Sequence, residues 1–132
     1  MIKREYWLSS SDKESILHII SWEPNNMQIK GIIQIAHGVT EHVLAYEEIA
    51  QQLVKEGYVV IGNDHLGHGK TNSPKRMYFG EKGSWKYIVE DLFRVKKLIN
   101  NIHPNLKHVF IGVSLGSFAV RHYLISHPTE SN

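Results

Sequence analysis

Three short, nearly continuous apolar runs, rich in β-branched residues, alternate along the chain with segments of helical periodicity. The runs occupy residues 31–36, 58–61 and 108–113, and their composition is typical of strands that are covered on both faces of a sheet. Between them, apolar residues recur at spacings of three and four over residues 45–54 and 85–99, as in helices with one buried face. This alternation predicts right-handed strand-helix-strand crossovers and therefore a parallel sheet with helices packed against it.

Further elements are predicted at the two ends of the chain. Residues 5–8 and 15–20 have the composition of strands, and the polar stretch 9–14 between them favours a hairpin. A last helix is predicted over 117–126, because Pro128 disfavours helical backbone in the residue before it. We therefore predict an α/β fold, a mostly parallel, doubly wound sheet that begins with an antiparallel hairpin.

Length and composition fit one domain and exclude several classes of function. The 132 residues are 42% hydrophobic and 21% charged, as expected for a single globular unit. A formal net charge of +2 is too small to indicate a nucleic-acid partner or an anionic membrane partner. The lack of cysteine excludes disulfides, thiolate metal sites and cysteine nucleophiles. Because the N-terminus is charged and no long apolar segment follows, a cytoplasmic protein without an integral membrane segment is predicted.

A G-x-S-x-G motif spans residues 112–116, between the third apolar run and the last predicted helix. Such a turn is so tight that its serine, Ser114, is expected in a strained backbone region, and the flanking glycines let neighbouring chain pass close by. The hydroxyl then lies at a helix N-terminus, where unpaired N–H groups favour the oxyanion that forms when a serine attacks a carbonyl. The motif predicts a nucleophile at Ser114; the alternative is an ordinary serine-containing turn.

A second motif, H-G-x-x-E-H, follows the first apolar run at residues 37–42. A glycine just past a strand permits a sharp turn, so that the next N–H, that of Val39, can face a ligand. Because an oxyanion hole needs two donors, we predict the N–H groups of Val39 and Leu115, with His37 and Gly38 forming the turn that presents the first. The alternatives for the two histidines of this motif are metal ligation and, much more commonly, packing within the loop.

A third motif, D-H-x-G-H-G-x-T, covers residues 64–71 after the second apolar run. Asp64, His65 and His68 could ligate a metal ion, but the sequence offers no convincing further ligands. A tight glycine-rich loop held by side-chain-to-backbone hydrogen bonds is the preferred interpretation. We therefore predict neither a metal site nor a cofactor.

In their order and on these elements, the three motifs resemble the N-terminal half of an α/β-hydrolase of the monoglyceride lipase, lysophospholipase and serine aminopeptidase group. The resemblance covers essentially the whole chain, so residues 1–132 are expected to be the N-terminal portion of a single domain of that fold. It implies that Ser114 is the nucleophile, that Val39 and Leu115 are the oxyanion donors, and that His65 is structural. It also implies carboxylic ester substrates of lipids or small alcohols, and no cofactor.

The chain departs from the pattern of this group after its last motif. Members continue with further strands, a lid, a catalytic Asp and then a catalytic His, whereas only residues 117–132 follow here and they contain no Asp. His122 and His127 would lie about 12 and 20 Å from Ser114 along a helix, too far for a general base. Only His37, at the end of a neighbouring strand, is within reach, although the resemblance assigns it to the oxyanion turn.

The missing C-terminal strands also affect association. The family's strand order would leave the apolar strand at 109–113 on a sheet edge without a partner, and such an edge favours pairing with another chain. We therefore expect a fragment of a longer enzyme, one half of a two-chain assembly, or a self-associating chain.

Two functions of different classes are compatible with these features. The first is the nucleophile-bearing half of a serine esterase or lipase-like hydrolase, inactive alone, whose acid and base come from elsewhere. The alternative is a non-catalytic module that keeps the half-fold and binds a partner through its exposed sheet edge. A nucleotide-binding domain is disfavoured, because the chain has neither a G-x-G-x-x-G after its first crossover strand nor a phosphate-binding G-x-x-x-x-G-K-[ST] motif.

Overall fold

The computed structural model describes residues 1–38, 41–66, 68–71 and 84–128, apart from the side chains of residues 84 and 115. In those ranges the elements follow the predicted alternation. They are β1 (Ile2–Ser9), β2 (Ile16–Glu23), β3 (Gly31–Ala36), a 3-10 helix (Val43–Tyr46), α1 (Glu47–Lys55), β4 (Tyr58–Asn63), α2 (Ser84–Ile102), β5 (His108–Gly112) and α3 (Leu115–Ser126).

The strands form one sheet in the order β1-β2-β4-β3-β5. Strands β3, β4 and β5 are parallel, while β2 is antiparallel both to β1 and to β4. Strand β5 lies at one edge, as the resemblance implies, and the predicted α/β class with an antiparallel hairpin is confirmed.

Helices cover both faces of the sheet and enclose two apolar cores. Helices α2 and α3 pack on one face, where the largest buried side chains include Leu92 and Tyr123. Helix α1 and the 3-10 helix pack on the other face, around Trp22 and Val54. None of the helices in the described ranges is long and apolar enough to cross a membrane.

Strand β5 differs from the prediction that both of its faces are covered. Phe110 packs against the core under α2 and α3, but Val109 and Ile111 are 46% and 38% exposed. Their register partners, Ile33 and Ile35, belong to the core under α1. Because α1 packs over β4 and β2, no element in the described part of the chain covers this face of β5, and the strand is a half-covered sheet edge.

Burial of one β5 histidine makes folding stability depend on pH. His108 is 4% exposed and its Nε2 lies 2.8 Å from the amide oxygen of Gln34. Burial is the main cause, and the nearby charge of Lys96 a smaller one, of a pKa of His108 that is lowered from 6.5 to about 4. The unfolded chain therefore binds more protons between these values, so stability is full above pH 6.5 and is lost as pH falls toward 4, by about 3 kcal/mol.

We predict that His108→Gln loses about 3 kcal/mol less stability than the wild type between pH 7 and pH 4. Glutamine can still donate to Gln34 but does not titrate. Urea unfolding of both proteins at the two pH values measures the difference, and the comparison isolates position 108 because every other residue is the same in the two proteins. Equal acid sensitivity of the two proteins would contradict the assignment of a neutral, buried His108.

Candidate active site

Ser114 occupies the sharp turn between β5 and α3 in a strained backbone conformation. Its φ of 54° and ψ of −115° lie in a region that L-residues rarely adopt, at a cost of about 1–3 kcal/mol. The predicted strain at this residue is thus observed. The side chain is exposed and does not cap α3, whereas its backbone oxygen accepts the Ser117 N–H at 2.9 Å. The hydroxyl is therefore available at the helix N-terminus.

The two glycines of the motif allow unusually close approaches of backbone. A Cβ on Gly112 would lie 2.6 Å from the Cα of Ser117, and a Cβ on Gly116 would overlap the carbonyl oxygen of Ala36 and lie 2.7 Å from that of His37. Real Cβ atoms essentially never come within 3.0 Å of such neighbours. The start of α3 is therefore seated directly against the end of β3, as the glycine spacing predicts.

This packing brings the loop after β3 to the Ser114 turn. A Cβ on Gly38 would lie 3.4 Å from the Cβ of Ser114 and 3.2 Å from the carbonyl oxygen of Val113. The Val113 N–H donates to the Ala36 carbonyl at 3.1 Å. The two loops that carry the first and second motifs thus meet at one end of the sheet.

Of the two predicted oxyanion donors, the structure describes the backbone of Leu115 but not Val39. Leu115 is the first residue of α3, and N–H groups in the first turn of a helix lack intrahelical acceptors. Val39, the other predicted donor, lies outside the described residues, as does Thr40 beside it. His37 and Gly38, the predicted turn, are adjacent to Ser114 and to the start of α3.

Both ring nitrogens of His37 are already engaged in hydrogen bonds. Nε2 accepts the backbone N–H of His65 at 2.9 Å, so Nδ1 carries the hydrogen and donates it to the Gly38 carbonyl at 2.7 Å. Burial lowers the pKa of His37. A neutral ring that holds the backbone of two loops has no free lone pair for the Ser114 proton, which argues against a Ser114-His37 dyad.

The third motif forms the hydrogen-bonded loop that was expected of it. The Asp64 carboxylate accepts the N–H of Val43 at 2.7 Å and that of Lys70 at 3.0 Å, and it lies 2.7 Å from Nδ1 of the buried His18. The Thr71 hydroxyl donates to the Asp64 carbonyl at 2.6 Å. These bonds tie the loop to β2 and to the 3-10 helix, so Asp64 has a structural role.

His65 belongs to the same structural network. Its Nε2 lies 3.1 Å from the His37 carbonyl oxygen, and burial lowers its pKa well below 6.5. Among the described residues, no group of three or more histidine, aspartate or glutamate side chains is arranged to hold a metal ion.

Glu41 takes part in the site, although no role was predicted for it from the sequence. One of its carboxylate oxygens accepts both the Gly38 N–H and the Tyr46 hydroxyl, each at 2.6 Å. The bond from Tyr46 is the main cause of the lowered pKa of Glu41, while burial raises the pKa of Tyr46 to about 12. The signal in the sequence is the spacing of three residues, at which a carboxylate reaches back to a backbone N–H.

Residues 27–132 match the family described as serine aminopeptidase, S33. The chain belongs to the S33 family. The resemblance inferred from the three motifs is thereby confirmed.

Relatives of this S33 chain include a monoacylglycerol lipase of Mycolicibacterium smegmatis, which is 31% identical over 109 residues that make up 83% of this chain and 37% of the lipase. Monoglyceride lipase of Rattus norvegicus is 30% identical over 72% of this chain and 30% of its own length. The solved structure of a thermostable carboxyl esterase from Bacillus coagulans superposes with a TM-score of 0.85 and 27% identity, over 98% of this chain and 42% of the esterase.

The chain therefore has a partial α/β-hydrolase fold, and its relatives include lipases and an esterase. It spans only about a third of the length of these lipases.

Proposed function

We propose that the chain is the nucleophile-bearing part of a serine hydrolase that cleaves carboxylic esters of lipids or small alcohols, with residues 1–132 as the N-terminal portion of one α/β-hydrolase domain. The observation that carries the proposal is the exposed, strained Ser114, which lies against the loop after β3: a Cβ placed on Gly38 would be 3.4 Å from the Cβ of Ser114. The lipase and esterase names of the relatives support an ester as the substrate.

In the proposed reaction, Ser114 Oγ attacks the ester carbonyl carbon and its proton passes to a general base. The N–H groups of Val39 and Leu115 donate hydrogen bonds to the negative oxygen of the tetrahedral intermediate. The carbon–oxygen bond to the alcohol then breaks, the alcohol takes the proton, and water hydrolyses the acyl-serine by the same route. No cofactor takes part.

The acid and base are proposed to come from polypeptide that packs on β5 and α3. Val109 and Ile111 are exposed on the α1 side of β5, and on α3, which packs on the opposite side of the sheet, Phe118 and Ile125 are 60% and 78% exposed. Apolar surfaces of this kind are rarely left uncovered on a monomer. A complementary C-terminal segment is the first candidate to cover them, because the relatives are about three times as long; a second copy of the chain is the other.

The same edge supports the second candidate function, a non-catalytic module that pairs through β5. The two functions differ in their dependence on Ser114, since partner binding would survive its replacement and ester hydrolysis would not. We propose a cytoplasmic location for either form, which the cysteine-free composition permits.

A fluorophosphonate probe tests the enzymatic function. In the longest natural form of the protein, we expect a covalent adduct that peptide mass spectrometry maps to Ser114, since the probe reacts with activated serines. Residues 1–132 alone are expected to react slowly or not at all, because the acid and base are proposed to come from other polypeptide. Failure of the longest form to react, or an adduct on another serine, would count against the proposal.

A further inference from the structure

We propose that Glu41 is a positioning residue for the oxyanion turn, acting through the backbone N–H of Gly38. This inference rests on the proposed function, because it concerns how the turn beside Ser114 is held. Glu41 does not touch the reacting atoms of the proposed reaction. It holds the backbone of Gly38, the residue that precedes the first predicted oxyanion donor.

Both backbone polar groups of Gly38 are held by side chains or backbone of the same loop. Its N–H donates to the Glu41 carboxylate at 2.6 Å. Its carbonyl oxygen accepts from Nδ1 of His37 at 2.7 Å and from the Glu41 N–H at 3.3 Å. Because the peptide bond is planar, we expect the groups that hold this carbonyl to orient the donor that follows it.

Glycine makes such restraint necessary. Gly38 has no side chain to limit its backbone angles, and the space for one is taken, because a Cβ there would lie 2.9 Å from the Glu41 carboxylate oxygen and 3.4 Å from the Ser114 Cβ. Free rotation at this position would reorient the donor. A carboxylate acceptor makes a shorter and roughly twofold stronger hydrogen bond than a neutral acceptor does, which suits the task.

Tyr46 anchors the Glu41 carboxylate to the core. The tyrosine is 9% exposed and packs in the core under α1, and its hydroxyl donates to the same carboxylate oxygen at 2.6 Å. The path from the core to the site is therefore short, from Tyr46 to Glu41 to the Gly38 N–H, and it ends beside the proposed nucleophile.

The test measures the rate of Ser114 phosphonylation and the kinetics of ester hydrolysis in the longest natural form. Loss of one oxyanion donor costs about 10²–10³ in kcat, so a mispositioned donor in Glu41→Ala is expected to lower the rate and kcat by about 10- to 100-fold, with KM nearly unchanged. Glu41→Gln keeps an acceptor and is expected to restore the rate to within about fivefold. Glu48→Ala, an exposed glutamate on α1, is the control and is expected to match the wild type.

The outcomes separate this inference from the proposed function. A wild type that does not react at Ser114 overturns both. A folded Glu41→Ala that reacts at the wild-type rate, or that changes KM alone, overturns only the inference. Where Glu41→Ala does not fold, Tyr46→Phe removes one donor to the carboxylate and keeps the aromatic packing; an expected drop of about threefold supports the inference, and an unchanged rate overturns it.

Discussion

Ser114→Ala in the longest natural form of the protein is expected to lower kcat for ester hydrolysis by about 10⁴-fold or more, because removal of a serine nucleophile leaves only the contribution of binding and the oxyanion hole. The fold should survive, since the hydroxyl does not cap α3. Ser117→Ala, one turn further along the helix, is the matched control and should retain activity. A kcat within tenfold of the wild type would exclude Ser114 as the nucleophile and favour the non-catalytic module.

Ser114→Gly is expected to be just as inactive, yet more stable than Ser114→Ala by about 1 kcal/mol. The φ of 54° and ψ of −115° at this position strain any residue with a Cβ, and glycine relieves that strain in the folded state. Glycine also makes the unfolded chain more flexible, which offsets part of the gain in stability. Urea unfolding of the two variants measures the difference. Equal stability would mean that the turn stores no strain.

The second large effect is expected at Gly116, where alanine should destabilise the protein by at least about 3 kcal/mol. In an exposed helix, the same exchange would stabilise by about 1 kcal/mol, because alanine has the higher helix propensity. Here the new Cβ overlaps the carbonyl of Ala36 and crowds that of His37. Both neighbours are backbone and cannot rotate away, so the helix must shift or the strand must bend.

Chemical denaturation of Gly116→Ala tests this expectation, with Ser126→Ala at the exposed end of α3 as the control. The control should change stability by less than about 0.5 kcal/mol. A folded Gly116→Ala protein should also react more slowly with a fluorophosphonate, because the shift would separate the Ser114 turn from the loop after β3. Unchanged or increased stability would show that the two backbones are not in close contact.

Local sequence predicts the centre of this fold better than its edges. Strand β3 begins and ends at the predicted residues, because its apolar run stops where Gly38 permits a turn. Strand β2 instead extends from the predicted end at residue 20 to Glu23. The added residues include Glu23, whose carboxylate is buried and lies 2.9 Å from Nε2 of His103. A local pattern cannot reveal a partner so distant in the chain.

In the candidate site, too, some features could be predicted from the sequence and others depend on contacts formed only in the folded chain. The prediction of one oxyanion donor from each of the first two motifs required the loops after β3 and β5 to meet, which is possible because the carboxyl ends of parallel strands lie at one edge of a sheet. The motifs did not predict the bond from Glu41 to the Gly38 N–H, since Tyr46 joins that carboxylate only when the 3-10 helix is folded. Nor did composition predict that Val109 and Ile111 would be exposed, because apolar content alone does not say what covers a strand.

A crystal structure of the fluorophosphonate adduct of the longest natural form would test the central arrangement most directly. We predict phosphorus bonded to Ser114 Oγ, with the phosphoryl oxygen about 2.7–3.1 Å from the backbone nitrogens of Val39 and Leu115. An adduct whose phosphoryl oxygen points into solvent, or is bound by other groups, would contradict the assignment of this turn as an oxyanion hole.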